Sequence, residues 1–247
     1  MIKNFQNQVM RASKLLAAGT VCALWFTTGV QAQSDDSFTL TPYKASYTAY
    51  KWGDDVGEAH IELSELSDNQ YSLLYTSKVS KFFLSDKRSE HSIFTLNDST
   101  VVPSQYFYNR SGTGPDKELV VTFGQQGGEK IVVENGDIYN WNGEFDNQIY
   151  RLDLAKQLAK GVTELDYSFV NYRGELRNYG VKVIETETLT LPYGKLDAVK
   201  VKLIRDSKKR ETYAWFAPSL DYALVRLQQF KDGDEQGDIK LKSFQPE

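Results

Sequence analysis

The sequence predicts a mainly β fold: a single curled antiparallel sheet, spiral or half-barrel in shape, with one main α-helix. Three observations carry this. Apolar and polar residues alternate with period two along most of the chain, the pattern of half-buried strands. Gly, Asn, Asp and Pro clusters break the alternation at short, regular spacing. Only one stretch, Asp146–Lys160, changes to a helical period.

The start of the chain stands apart. Lys3, Arg11 and Lys14 give a basic beginning without acids, Leu15–Gly29 is apolar, and Val30-Gln31-Ala32 supplies small residues for a signal peptidase. The apolar run is shorter than the roughly 20 residues that span a bilayer. Residues 1–32 therefore read as a signal peptide cleaved after Ala32, and 33–247 as a single β-rich domain in the periplasm, not membrane-spanning after cleavage. Cys22, the one cysteine, lies inside the signal, with Val21 where a lipoprotein signal needs a small residue. The exported chain has no cysteine and must be stable through its core alone.

Beyond a polar leader, Gln33–Leu40, the strands follow in order. Tyr43, Ala45, Tyr47 and Ala49 face one way, and Gly53 and Gly57 mark a turn. His60–Leu66 resumes with Ile61 and Leu63 inward, Asp68-Asn69 turns again, and Tyr71–Val79 is a third strand. Strands near Ser89–Leu96, Ser104–Asn109 and Glu118–Phe123 come next. Gly127-Gly128 and Asn135-Gly136 are sharp turn signals, the latter composed for a type I′ hairpin. In the helical stretch Ile149, Leu152, Ala155, Leu158 and Ala159 form one broad apolar face, Asp146 can cap the start, and Gly161 can end it. A helix with one such stripe covers a sheet face or plugs a barrel end. Strands then return at Leu165–Tyr172, Leu176–Leu191 and Leu196–Asp206. In the last, Val199, Val201 and Leu203 oppose Lys200, Lys202 and Ile204. Glu211–Gln229 forms two strands around a Pro-Ser-Leu-Asp corner, with Trp215 at the bend as a structural ring expected to seal one end of the rolled sheet. Asp238–Phe244 closes with Ile239 and Leu241 inward. The count is about a dozen strands, the signature of an antiparallel sheet rolled on itself.

Charge and motifs exclude more than they assign. Removing the three basic signal residues leaves 26 cations against 33 acids, near −7. Such a surface repels nucleic acid. His60 and His91 fall short of the three ligands a catalytic zinc needs, and no G-x-S-x-G elbow accompanies them. Asp232, Asp234 and Gly237 match the opening of a calcium loop, but Ser243 stands where its bidentate glutamate belongs. Ser111-Gly112-Thr113-Gly114 lacks the Lys-Ser/Thr of a phosphate loop. Glu185 and Glu187 share one strand face, a spacing that reads as a wet face. No catalytic residue, metal ligand or cofactor site is assigned, so the chain does not read as an enzyme, and no ligand-binding residue is singled out. Tyr106, Phe107, Tyr108, Trp52, Trp141 and Trp215 are the aromatics available to line a cavity or simply to fill the core.

Tyr47 ahead of Gly53 and Gly57, Leu191-Pro192-Tyr193-Gly194, and Trp215-Phe216-Ala217-Pro218 followed by Tyr222 and Val225-Arg226 carry a resemblance. In these marks the chain resembles the DUF 3108 family of exported bacterial proteins of unknown function, from about Pro42 to Phe244. Leu224 stands where members usually carry proline. The resemblance implies a curled sheet with a helix, similar to periplasmic lipoprotein-carrier half-barrels, and an envelope role holding a lipid or hydrophobic peptide.

The leading expectation is a soluble periplasmic protein that binds an apolar ligand or another envelope protein. An outer-membrane β-barrel is the second reading; the terminal Phe244-Gln-Pro-Glu and the absence of sustained strands with a purely apolar face speak against it. An enzyme whose site forms no linear motif is the third.

Overall fold

Alternation in the sequence becomes one continuous meander. The structure, a computed structural model, describes residues 39–247 apart from 68, 82, 125–128 and 208. The expected signal peptide, most of the leader, and Gly127-Gly128 lie outside the described residues. In chain order the strands are β1 (Tyr43–Lys51), β2 (Asp54–Ser67), β3 (Gln70–Lys81), β4 (Leu84–Asn97), β5 (Thr100–Gly112), β6 (Lys117–Phe123), β7 (Lys130–Val133), β8 (Ile138–Asn140) and β9 (Phe145–Asp146). Helix α1 (Tyr150–Ala159) follows. The return leg is β10 (Glu164–Val170), β11 (Leu176–Leu191), β12 (Gly194–Ile204), β13 (Arg210–Ala217), β14 (Ala223–Lys231) and β15 (Asp234–Pro246).

Among the described residues all 15 strands belong to one sheet, ordered β8-β7-β6-β5-β4-β3-β2-β1-β15-β14-β13-β12-β11-β10-β9. The first and last strands are therefore neighbours in its middle, and the chain runs out along one arm and back along the other. Every pair is antiparallel except β9 with β10. Among the described residues no ladder joins the edges β8 and β9, so the roll is a spiral and not a closed barrel. Side chains fasten the seam instead. Tyr139 donates its hydroxyl to the Gly174 carbonyl at 3.0 Å, and Tyr108 and Tyr172 pack with ring centres 5.5 Å apart. Tyr106, Val121, Phe123, Ile131 and Val133 form a second small core there with Val170.

The strands are longer than the alternation suggests because several hairpins are as tight as they can be. Trp52-Gly53, Asp98-Ser99 and Asp232-Gly233 all take positive φ at both positions, the signature of two-residue type I′ turns. Asn135-Gly136, the site expected to be such a turn, is not one. It lies in a longer loop in which Asn135 takes positive φ and Gly136 does not, and Gly136 N–H bonds back to Val133 O at 3.1 Å. Bulges interrupt the pairing of β1 with β2, β13 with β14 and β14 with β15, each sharpening the local twist that lets the sheet curl.

The helix departs from expectation in position and length. It begins at Tyr150, not Asp146. Asp146 caps the turn before it, its Oδ1 accepting from the backbone of Gln148 at 2.7 Å and Ile149 at 3.0 Å. Ala159 is exposed and Ala155 half-buried, whereas Tyr150, Leu152, Leu154 and Leu158 are buried. Leu152 and Leu154 point to nearly opposite sides of a helix. Apolar contacts on both sides mean that α1 lies inside the roll, between two walls, and does not merely cover one face. Tyr150 stacks on Phe169 of β10 at 4.9 Å, and Tyr167 donates its hydroxyl to Asp153 at 2.9 Å. Among the described residues no helix is long and apolar enough to cross a membrane.

Candidate functional site

The helix leaves two cavities in the interior. The first holds about 350 Å³ and opens at the end of the roll where β13 turns into β14. Leu152 and Ala155 of α1 face Ile61 and Leu63 of β2 and Leu73 of β3, with Phe216 and Leu224 from the other arm. Alternation places these side chains inward, and the helix keeps the two walls from closing on each other. At the mouth, the corner Pro218–Leu220 is a short 3₁₀ turn followed by Asp221 and Tyr222, both at positive φ. Non-glycine residues held there are strained, and here they present Leu220 and Tyr222 to the cavity.

The second cavity is larger, about 700 Å³, and its walls are mixed, polar and apolar in similar measure. It opens at the opposite end, among the turns that follow β10, β12 and β14. Tyr75, Tyr150 and Tyr179 form aromatic wall, and arginines enter from several strands. Arg151 and Phe216 line both cavities, so they mark the wall between them. The side chain of Arg151 donates from Nε to the Gln148 carbonyl at 3.3 Å. Its charge is felt by Tyr43, Tyr47 and Tyr150. Burial nonetheless pushes all three hydroxyls up, Tyr43 to about 12, and Arg151 opposes the rise only in part.

Beneath the helix start is a buried polar cluster that links the two arms. Glu90 of β4 accepts from the Tyr106 hydroxyl at 2.6 Å and from Asn147 Nδ2 at 2.7 Å. Asp146 is fully buried, and burial raises its carboxyl to about 6, outweighing its two backbone donors, with Glu90 adding to the rise. The Ser92 hydroxyl faces the same carboxyl and opposes the rise.

The residues singled out from the sequence are placed elsewhere. His60 is exposed beside Glu58, 3.8 Å away, and half-buried His91 packs on Phe107 with its titration pushed down by burial. Among the described residues no group of three His, Cys, Asp or Glu side chains is placed to hold a metal. Asp232-Gly233 is the β14–β15 hairpin turn and Asp238 is an ion-pair partner of Arg226. Ser111–Gly114 ends β5, where Thr113 N–H bonds to Ser85 O. Glu185 and Glu187 lie on the convex face, paired with Lys200 at 2.9 and 3.5 Å.

The aromatics offered as cavity lining are not the ones that line it. Tyr106 and Tyr108 fill the second core while Phe107 faces outward, and Trp52 sits at a hairpin tip with 63% exposure. Trp141 packs over Gly124. Trp215 is 2% exposed, but its ring belongs to the convex face, where its Nε1 donates to Glu187 at 2.8 Å. It therefore does not seal an end of the roll, because alternation turns Ala214 and Phe216 inward instead. Arg151 and Arg205 were missed. The available signal was the pair Leu152 and Leu154, which no single stripe accommodates and which marks a helix enclosed on both sides.

The fold has a relative among solved structures. A β-barrel-like protein of the DUF1849 domain from Brucella abortus superposes with a TM-score of 0.58 at 8% identity, covering 85% of this chain and 100% of that one. A protein from Bacteroides fragilis described as exported gives 0.32 at 9% identity, covering 84% and 97%. One described as a lipoprotein, from Parabacteroides distasonis, gives 0.32 at 13%, covering 85% and 98%. No curated protein matches the sequence. The marks that carry the resemblance have structural duties: Tyr47 donates its hydroxyl to Leu224 O at 2.7 Å, and Arg226 stacks on Trp215. Residues 38–240 match the family described as protein of unknown function (DUF3108), and the chain belongs to that family.

Proposed function

We propose that the chain is an exported, envelope-associated protein that binds an apolar chain, such as a lipid acyl chain, in the smaller cavity, and that its role is binding and not catalysis. The observation that carries this reading is the cavity of about 350 Å³ held open between α1 and the sheet, with aliphatic and aromatic walls from both arms. Its size falls within the range of small-molecule sites, and apolar concavities are where such ligands bind. The export reading rests on the basic and apolar start of the chain with its Val30-Gln31-Ala32.

Two observations speak against the outer-membrane reading. The sheet is an open spiral, while strands spanning a bilayer must close. The convex face of β11–β15 carries ion pairs such as Arg226 with Asp238 where a lipid-facing band would be apolar.

Titration with a fluorescent fatty acid tests the proposal. Saturable 1:1 binding is expected, weakened by Leu152→Asn because Leu152 lines the cavity. Leu158→Asn, within the core but outside the cavity lining, should cost stability without a specific loss of affinity. Binding of an apolar peptide in place of the fatty acid would reassign the occupant.

A further inference from the structure

We propose that the occupant is an anionic amphiphile, its phosphate-type head group held by Arg151 and Arg205 in the polar cavity while its chain lies in the apolar one. This rests on the apolar-chain reading above and names the class of ligand.

The two cavities share a wall made by Arg151 and Phe216, so a molecule leaving the apolar cavity toward the interior meets a guanidinium first. Among the described residues no carboxylate is paired with Arg151, and its side chain bonds only one backbone carbonyl. Its tyrosine neighbours are neutral, because burial holds their hydroxyls protonated. A partly buried charge without a counter-charge is left to water alone, and an incoming anion would take the place of that water.

Arg205 repeats the pattern nearer the mouth of the polar cavity. Its guanidinium stacks on Tyr179 at 4.6 Å and Nη2 donates to Thr212 Oγ1 at 2.9 Å, while Nη1 is buried with no partner among the described residues. Stacking fixes the plane of the fork and leaves an aligned donor for a tetrahedral oxyanion. Gln148, 3% exposed and lining the same cavity, has its Oε1 unsatisfied. It would accept from a hydroxyl on the head group.

The charge count favours phosphate over a single carboxylate. Eight cationic side chains and three carboxylates among the described residues line this cavity, five cations in excess, in a chain whose net charge is −4. A phosphate monoester brings about 1.5–2 negative charges at neutral pH, and rim residues such as Arg173, Lys209 and Arg210 would draw it inward.

The test is calorimetric titration of the protein as purified with three probes: dodecyl phosphate, dodecanol and glycerol phosphate. Dodecyl phosphate should bind 1:1, about tenfold or more tighter than dodecanol, a margin set by charge-assisted hydrogen bonds. Arg151→Gln and Arg205→Gln should each weaken dodecyl phosphate far more than dodecanol and so erase most of that preference, and Arg151→Lys should retain part of it. Thermal midpoints of the variants confirm that they fold. Added salt should weaken only the phosphate. Equal affinity for dodecyl phosphate and dodecanol overturns this proposal and leaves the apolar-chain reading standing. Glycerol phosphate binding as tightly as dodecyl phosphate makes the source a soluble ester and overturns the amphiphile. If all three probes fail to bind, both readings fall.

Discussion

On the convex face of the sheet the guanidinium of Arg226 lies over the indole of Trp215, 4.5 Å from the ring centre. Asp238 on the next strand receives both arms of that guanidinium, at 2.9 and 2.7 Å, and Glu187 accepts the indole N–H from the other side. The four side chains span β11 to β15 and brace the central strands from outside, leaving the concave face to the interior. Trp215→Ala should therefore cost about 3–5 kcal/mol, the usual loss for a buried large ring. Denaturant midpoints measure it, and an unchanged midpoint would show that the ring packs on nothing essential.

Tyr47→Phe isolates one hydrogen bond. The hydroxyl, enclosed by the sheet, donates to Leu224 O across the β1–β15–β14 centre of the roll. Losing it leaves a buried carbonyl unpaired, which should cost about 1–3 kcal/mol with little change in packing. A destabilisation read from urea unfolding with an unchanged m-value supports this; no change would mean water replaces the donor.

Gly57 is fixed by a close approach. It sits at φ +148°, and a Cβ there would come within 2.1 Å of the Lys78 carbonyl on β3. Gly57→Ala must push β2 and β3 apart, so the variant should lose several kcal/mol, well beyond the about 0.4–1 kcal/mol that Gly-to-Ala changes gain at compatible sites. Soluble yield and thermal midpoint report on it, and wild-type values for both would refute the crowding argument.

Asp146 makes stability fall as pH rises through a defined window. The carboxyl titrates near 3.8 when unfolded and at about 6 when folded, because burial disfavours its charge. Between those values the folded chain binds more protons than the unfolded one, so this group's cost appears as pH climbs from about 4 and is complete above about 6. The cost is on the order of 2–3 kcal/mol. Asp146→Asn keeps an oxygen for the backbone donors of Gln148 and Ile149 and should flatten this part of the profile. Unfolding midpoints taken from acid to neutral pH, with equal slopes in both proteins, would refute it.

Much of the sheet was legible because strand periodicity is local. Ala45, Tyr47 and Ala49 announce β1 by their spacing, and Pro218 with Asp221 announces the β13–β14 corner. The family marks were legible for the same reason, since each is a turn or a strand. The interior was not. Leu63, Leu152, Phe216 and Leu224 come together from distant segments, and nothing in any one of them tells a filled core from a hollow one. Arg151 was hidden because a single apolar stripe describes a helix with a wet face. A one-sided stripe leaves Arg151 in solvent, whereas a helix walled on both sides encloses it. Trp215 reads as a ring sealing an end of the roll, whereas regular alternation along β13 sets it opposite Ala214 and Phe216, on the convex face beside Glu187 and Arg226.

Native mass spectrometry of the protein purified without organic solvent tests whether the interior is hollow and holds an apolar chain. A discrete adduct in 1:1 stoichiometry is expected, one that organic extraction removes and identifies as a lipid, with its occupancy reduced in Leu152→Asn. A single mass equal to that of the bare chain, with no lipid in the extract and no uptake of added fatty acid, would contradict it.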